Sequence, residues 1–272
     1  MTIITENEGP LKMEMLAIPV HRSRQTKLKP HSLSRILVCI ATYNEKTNIE
    51  KLISDIHIEL PTADVLVIDD NSPDGTGELV DELSKKDSRI HIFHRPRKLG
   101  LGTAILEAMR FAIREKYHYL INMDADFSHS PRYLKNLIKG MKKNDIMIGS
   151  RYIVGGGTKN WPFTRKAISK SVNIFVRLFL KIPARDCSGG FRCYSVPKLE
   201  KAKIEEVKSL GYSFHQEVLH RCYCSGAKIG ETPILFENRK QGKSKVNFHE
   251  AVRSLTALVI LGIKSMGRKN IV

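Results

Sequence analysis

The sequence predicts an α/β fold built on a mostly parallel sheet with helices on both faces. Short, continuous apolar runs recur along the chain and read as buried strands, and each is followed by a stretch of helical periodicity. The runs also end in charged or hydrogen-bonding residues, and ligands of open α/β sheets bind outside the carboxyl ends of the strands.

The first strand is read over Arg35 to Ala41, an unbroken apolar run of the length a buried parallel strand needs. Thr42 to Glu45 follows, then a helix through Ile49, Leu52, Ile53 and Ile56. Asp64 to Asp70 is the second strand, and the turn cluster from Asn71 to Gly77 leads into a helix through Leu79 and Leu83. A short strand, Ile90 to His94, enters the basic loop Arg95 to Gly102. A third helix, Thr103 to Lys116, sets Ile105, Met109, Ala112 and Ile113 along one face. Strands over Tyr119 to Met123 and Asp145 to Gly149 complete the series. Residues 1–33 are polar and basic and are expected to be a flexible extension. Residues 34–246 are expected to form the α/β domain and 247–272 a C-terminal amphipathic helix.

Composition narrows the partners. Lys and Arg outnumber Asp and Glu by 45 to 28, a net charge of +17, which calls for anionic partners. Nucleic acid is set aside: no zinc spacing, RNP-type aromatic motif or stacking platform accompanies the charge. No apolar run is long enough to span a bilayer, and no secretory signal opens the chain, so a cytoplasmic protein is expected. The 5 cysteines leave an odd number and form no C-x-x-C pair, which fits reduced, buried thiols.

Asp124 and Asp126 follow the Tyr119 to Met123 strand at a spacing of two. On an extended backbone that spacing sets both carboxylates on one side, where their charges repel unless a cation lies between them. Carboxylates suit Mg²⁺ or Mn²⁺, and Mg²⁺ commonly combines one or two carboxylates with substrate phosphates. A solvated turn is the alternative for this pair taken alone.

Thr42–Glu45, Asp69–Asp74, Lys98–Gly102 and Met123–His129 resemble the successive motifs of the inverting, GT-A-fold (Rossmann-like) glycosyltransferases of family 2. Gly149–Tyr152, Asp186–Arg192 and Arg239–Lys245 are similar to the branch of that family that acts on polyprenyl phosphates. The resemblance runs from about residue 35 to 250, and Ala41 departs from it where the family usually has Pro. It implies inverting transfer of mannose from GDP-mannose to dolichyl or another polyprenyl phosphate, with Mg²⁺ or Mn²⁺ as cofactor. Another sugar nucleotide such as UDP-glucose, or another phosphorylated acceptor, is the alternative.

On the matching positions, Asp124 and Asp126 would hold the metal, with Ser128 as a third candidate where some relatives carry Gln. Tyr43 and Glu45, with Thr42 before them, match guanosine and ribose contacts, and Asp70 matches a carboxylate used against base or ribose. Ala125 lies between the two carboxylates, and Lys98 would meet the diphosphate. Arg151, Arg165 and Arg239, with Lys245 behind them, would bring positive charge to the acceptor phosphate, with Ser188 nearby and Glu217 orienting a sugar hydroxyl. Asp124, Asp126, Arg151 and Arg165 are the catalytic candidates. No general base is nominated, because a phosphate monoester with a second pKa near ~6 is already largely anionic.

From Arg165 to Ile182, Ile168, Val172, Phe175, Phe179 and Ile182 line one helical face, and Lys166, Lys170, Arg177 and Lys181 fall opposite. That layout predicts an interfacial helix on an anionic membrane surface, on its cytosolic side. A second such helix is read from Val252 to Ile263. The resemblance adds a small membrane-embedded partner subunit for a chain without a span of its own.

Overall fold

The computed structural model describes residues 34–237 apart from 210 and 212. The flexible extension, the C-terminal helix, Arg239 and Lys245 lie outside the described residues. In chain order the elements are β1 (Ile36–Thr42), α1 (Lys46–Glu59), β2 (Asp64–Asp69), α2 (Thr76–Lys86), β3 (Ile90–His94), α3 (Leu101–Arg114), β4 (Tyr119–Asp124) and α4 (Leu134–Gly140). There follow β5 (Ile146–Ser150), β6 (Gly157–Lys159), α5 (Phe163–Leu180), β7 (Arg192–Ser195), α6 (Val196–Lys201), α7 (Phe214–Cys224), β8 (Ile229–Pro233) and β9 (Leu235–Glu237).

The main sheet has 7 strands in the order β3-β2-β1-β4-β7-β5-β8, all parallel except β7. β1 shows why the sheet is covered on both sides. Leu37 and Cys39 point into one apolar cluster and Ile36, Val38 and Ile40 into the other, the alternation that a strand's period of two imposes. One cluster is closed by α3, α5, α6 and α7, and the other by α1, α4 and Val80 of α2. α1 buries Ile49, Leu52, Ile53 and Ile56, the stripe that its 3.6-residue period predicts.

The expected strands agree with β1 to β5 to within a residue or two at their ends. Two elements of the sheet escaped the sequence reading. β7 is short and begins with a buried arginine, and β8 is an edge strand rich in polar residues and ending in Pro233. All 5 cysteines are free; four are buried, and burial pushes the thiols of Cys39, Cys187 and Cys222 up to about 12.

Candidate functional site

Strand register sets the first group of site residues side by side. Thr42 at the end of β1 pairs with Asp69 of β2, and Asp69 with His94 of β3. On the other flank, Ala41 pairs with Asp124 of β4. The strand order reverses around β1, so the crevice between β1 and β4 opens where α/β sheets bind ligands. The antiparallel β7 brings its leading end to the same place: Arg192 lies opposite Asn122, which carries the 186–191 loop to the carboxyl end of β4.

Asp69 is the buried organiser of the β1 side. Thr42 Oγ1 donates to its Oδ1 at 2.7 Å, and the Ser72 amide donates to its Oδ2 at 2.8 Å. The Ser72 hydroxyl accepts the Asn44 amide, and Thr76 Oγ1 accepts the Glu45 amide, each at 3.0 Å. The 42–45 and 72–76 loops are thereby one hydrogen-bonded unit. Lys98 Nζ stands 3.8 Å from the centre of the Tyr43 ring, a cation–π contact on an exposed aromatic.

Asp70, expected to meet base or ribose, has a buried carboxylate that forms an ion pair with buried Arg95 and accepts the Gly100 amide at 3.1 Å. Gly100 has φ +94°, a backbone conformation that is strained for residues with a side chain although the space around it is open. Asp70 therefore shapes the loop that carries Lys98.

Asp124 closes β4, and Asp126 lies beyond it in a turn rather than on extended strand. The turn is of the Asx kind: the Ser128 amide donates to Asp126 Oδ1 at 3.0 Å, with Phe127 at φ +59°. Ala125, Ser128 and His129 are buried, whereas Asp124 and Asp126 are partly exposed. His129 was not anticipated. Its Nδ1 accepts the Asp124 amide at 3.0 Å, so that nitrogen carries a lone pair. Burial pushes the imidazole pKa down, against the pull of Asp124 and Asp126, and the ring stacks on Phe191 at 4.9 Å.

Among the described residues no group of three His, Cys, Asp or Glu side chains could hold a metal. The donor set is instead the two partly exposed carboxylates, since the His129 Nδ1 lone pair is taken by the Asp124 amide. That electron-rich pair fits a hard divalent cation that takes its other ligands from a bound diphosphate and water.

Arg151 follows β5 and is fully engaged on one edge. Its Nε and Nη2 donate to Asp186 Oδ2 and Oδ1, both at 2.7 Å, and Nη2 also donates to Ser188 Oγ at 2.8 Å. Burial pushes Asp186 up, but the hydrogen bonds and charge of Arg151 outweigh it and hold the carboxyl below its usual range. Trp161, the single tryptophan, links this pair to α5. The Arg165 guanidinium sits 4.0 Å from the centre of the Trp161 rings and that of Arg151 5.4 Å. Phe236 packs edge-on against both Trp161 and His129, each at 5.4 Å, and so joins the two arginines to the Asp124 turn.

Glu217 accepts the amides of Lys208 and Ser209 and Nε of Arg221, at 3.2, 2.9 and 3.1 Å. Its burial is outweighed by those bonds, which keep its pKa low. It ties α7 to the 206–209 loop.

A family model described as glycosyl transferase family 2 matches residues 37–202. The chain is 38% identical to a polyprenol monophosphomannose synthase of Mycolicibacterium smegmatis, over 87% of this chain and 92% of that protein. It is 37% identical to an undecaprenyl-phosphate mannosyltransferase of Micrococcus luteus, over 78% and 88%. Among solved structures, glucosyl-3-phosphoglycerate synthase of Mycobacterium tuberculosis, in complex with Mg²⁺ and UDP, shares the fold. Its TM-score is 0.59 at 14% identity, covering 83% of this chain and 79% of that one.

Proposed function

The chain belongs to glycosyltransferase family 2, and on that premise we propose that it transfers mannose from GDP-mannose to dolichyl or another polyprenyl phosphate. The relatives' names support the acceptor class and the sugar. The observation that carries the reading is the pair of guanidinium groups, Arg151 and Arg165, on the one Trp161 ring, linked through Phe236 to the Asp124 turn. A reaction between two phosphates needs positive charge between them, and this arrangement supplies it beside a carboxylate pair suited to the donor.

Tyr43 and Glu45 meet the nucleoside in this reading, Lys98 the diphosphate, and Thr42 keeps the first loop in register through Asp69. Asp124 and Asp126 would hold a divalent cation, which would supply positive charge to the diphosphate leaving group; Ser128 contributes its amide to the Asp126 turn. Arg165 faces the acceptor phosphate, and Arg151, anchored by Asp186 and Ser188, presents its remaining amino group. Arg239 and Lys245 add charge from the segment that follows. The acceptor oxygen attacks the sugar's anomeric carbon without a general base, since it is already anionic.

No described helix is long and apolar enough to cross a membrane. A peripheral position fits the exposed apolar face of α5, and a membrane-embedded partner subunit is part of the proposal. A radiolabel assay offering GDP-mannose or UDP-glucose, each with and without dolichyl phosphate, tests the reading. Label enters the lipid fraction from GDP-mannose only when dolichyl phosphate is present. Transfer from UDP-glucose alone, or to a soluble phosphate but not to the lipid, overturns it.

A further inference from the structure

α5 borders a second feature, a groove of about 470 Å³ lined by Lys170, Arg177, Arg185, Arg151, Asn173 and Ile174 among others. Lys170, Arg177 and Arg185 are exposed, and none forms an ion pair among the described residues. The carboxylates nearest in the chain and the facing strand are committed elsewhere. Asp186 is held by Arg151, and Glu231 of β8 accepts the amides of Arg185 and Asp186 at 2.8 and 2.9 Å. Neutral backbone amides leave the charge of Glu231 in place, so Lys170, Arg177 and Arg185 give the groove a net positive charge with one carboxylate beside Arg185.

It is not the acceptor site under another name. Five residues separate Arg165 from Lys170, which turns them about 140° apart around a helix. Arg177, twelve residues from Arg165, lies about 120° away. Of the residues assigned to the acceptor phosphate, Arg151 alone borders the groove among the described residues.

The rim of the groove is apolar. Ile174 lines it and is 49% exposed, and Leu178, one turn further along α5, is 69% exposed. Ile168 and Phe175, also exposed, lie beyond Leu178, about 120° and 100° round the helix from Ile174. Cations beside exposed aliphatic side chains on a surface helix match an anion tethered to hydrocarbon at a bilayer interface. A free inorganic anion has no use for the aliphatic rim.

We infer that the groove binds the phosphodiester headgroup of an anionic phospholipid, with the acyl chains beginning along Ile174 and Leu178. The site orients the enzyme on the bilayer independently of its donor and acceptor.

Flotation of the chain with phosphatidylcholine vesicles, with and without phosphatidylglycerol and free of polyprenyl phosphate, tests this. Binding requires phosphatidylglycerol. Arg177→Ala with Arg185→Ala lowers partitioning roughly 25-fold, about fivefold per cation. Lys142→Ala with Lys143→Ala removes the same charge from an exposed turn after α4 and has far less effect. Equal losses in the two double variants mean a diffuse field and overturn the site. Titration with soluble dihexanoyl phosphatidylglycerol and with inorganic phosphate separates lipid from anion. The lipid analogue binds more tightly to the wild type and loses this preference in the arginine double variant; equal affinity for phosphate overturns the lipid assignment. Sugar transfer in detergent is unchanged in that variant, and its loss would assign both arginines to the acceptor site instead.

Discussion

Arg151 sets Nε and Nη2 on the two carboxylate oxygens of Asp186, 2.7 Å from each, with both side chains buried. The Gly189 amide donates to the same carboxylate at 2.9 Å, so the pair fixes the loop leading into β7. Removing one charge from a buried pair leaves the other without compensation. Asp186→Asn is expected to lower the unfolding free energy by about 3–5 kcal/mol, read by urea denaturation. A loss below about 1 kcal/mol, as for an exposed pair, would contradict this account.

Asp124 is partly exposed, and its amide rather than its carboxylate holds His129. Asp124→Asn should therefore keep the fold while removing an anionic ligand. Transfer falls by about 10²–10³-fold, the scale of losing one electrostatic contact in a transition state. Circular dichroism checks the fold, and titration of Mn²⁺ with GDP present, by paramagnetic broadening, checks the ligand. Unchanged metal affinity in the variant would remove Asp124 from the metal site, whatever its effect on turnover.

The sheet was legible where strands are wholly buried, because β1 and β2 must be apolar on both faces and announce themselves as runs. β7 was not, because Arg192 is buried only by virtue of carbonyl acceptors on Cys187 and His215, both at 2.6 Å, supplied by remote segments. The Asp-x-Asp turn could be read from spacing, but His129 and Trp161 act through contacts with Phe236, far along the chain. The internal partners of Asp70 and Glu217 were hidden for the same reason. A carboxylate in a motif carries no sign of whether an arginine or an amide waits for it inside.

Arg165, proposed above to meet the acceptor phosphate, sits 4.0 Å from the centre of the Trp161 ring. Arg165→Ala is expected to lower kcat/KM for polyprenyl phosphate roughly ten- to hundredfold, as a charge-assisted contact of about 1.5–3 kcal/mol requires. GDP affinity by calorimetry stays within about twofold of wild type, well under the cost of a hydrogen bond. Weakened GDP binding with normal acceptor kinetics would move Arg165 to the donor side.

α5 has more apolar surface than its packing uses. Val176 and Leu180 are buried, and Val172 and Phe179 pack against the core, so part of the face expected to meet lipid is turned inward. Ile168 and Leu178, 66% and 69% exposed, are the better probes. Ile168→Glu with Leu178→Glu should leave the melting temperature within a few degrees and abolish flotation with anionic vesicles, because neither residue is in the core. Retained flotation at low salt would mean that the outward face of α5 does not enter the interface.

His215 heads α7 and is buried, with Nδ1 lacking a hydrogen-bond partner. Burial first, and then the Arg192 guanidinium, pushes its pKa well below the usual 6.5. The unfolded chain takes up this proton near pH 6.5 while the folded chain refuses it, so stability falls as pH drops below about 6.5. One such histidine contributes a slope of at most about 1.4 kcal/mol per pH unit. His215→Gln removes its share, and urea unfolding at intervals from neutral to mildly acidic pH should give a shallower decline for the variant. His57, His91 and His129, whose pKa values are also lowered, leave a residual slope in both proteins. Identical slopes would mean that His215 takes up its proton without opposing the fold.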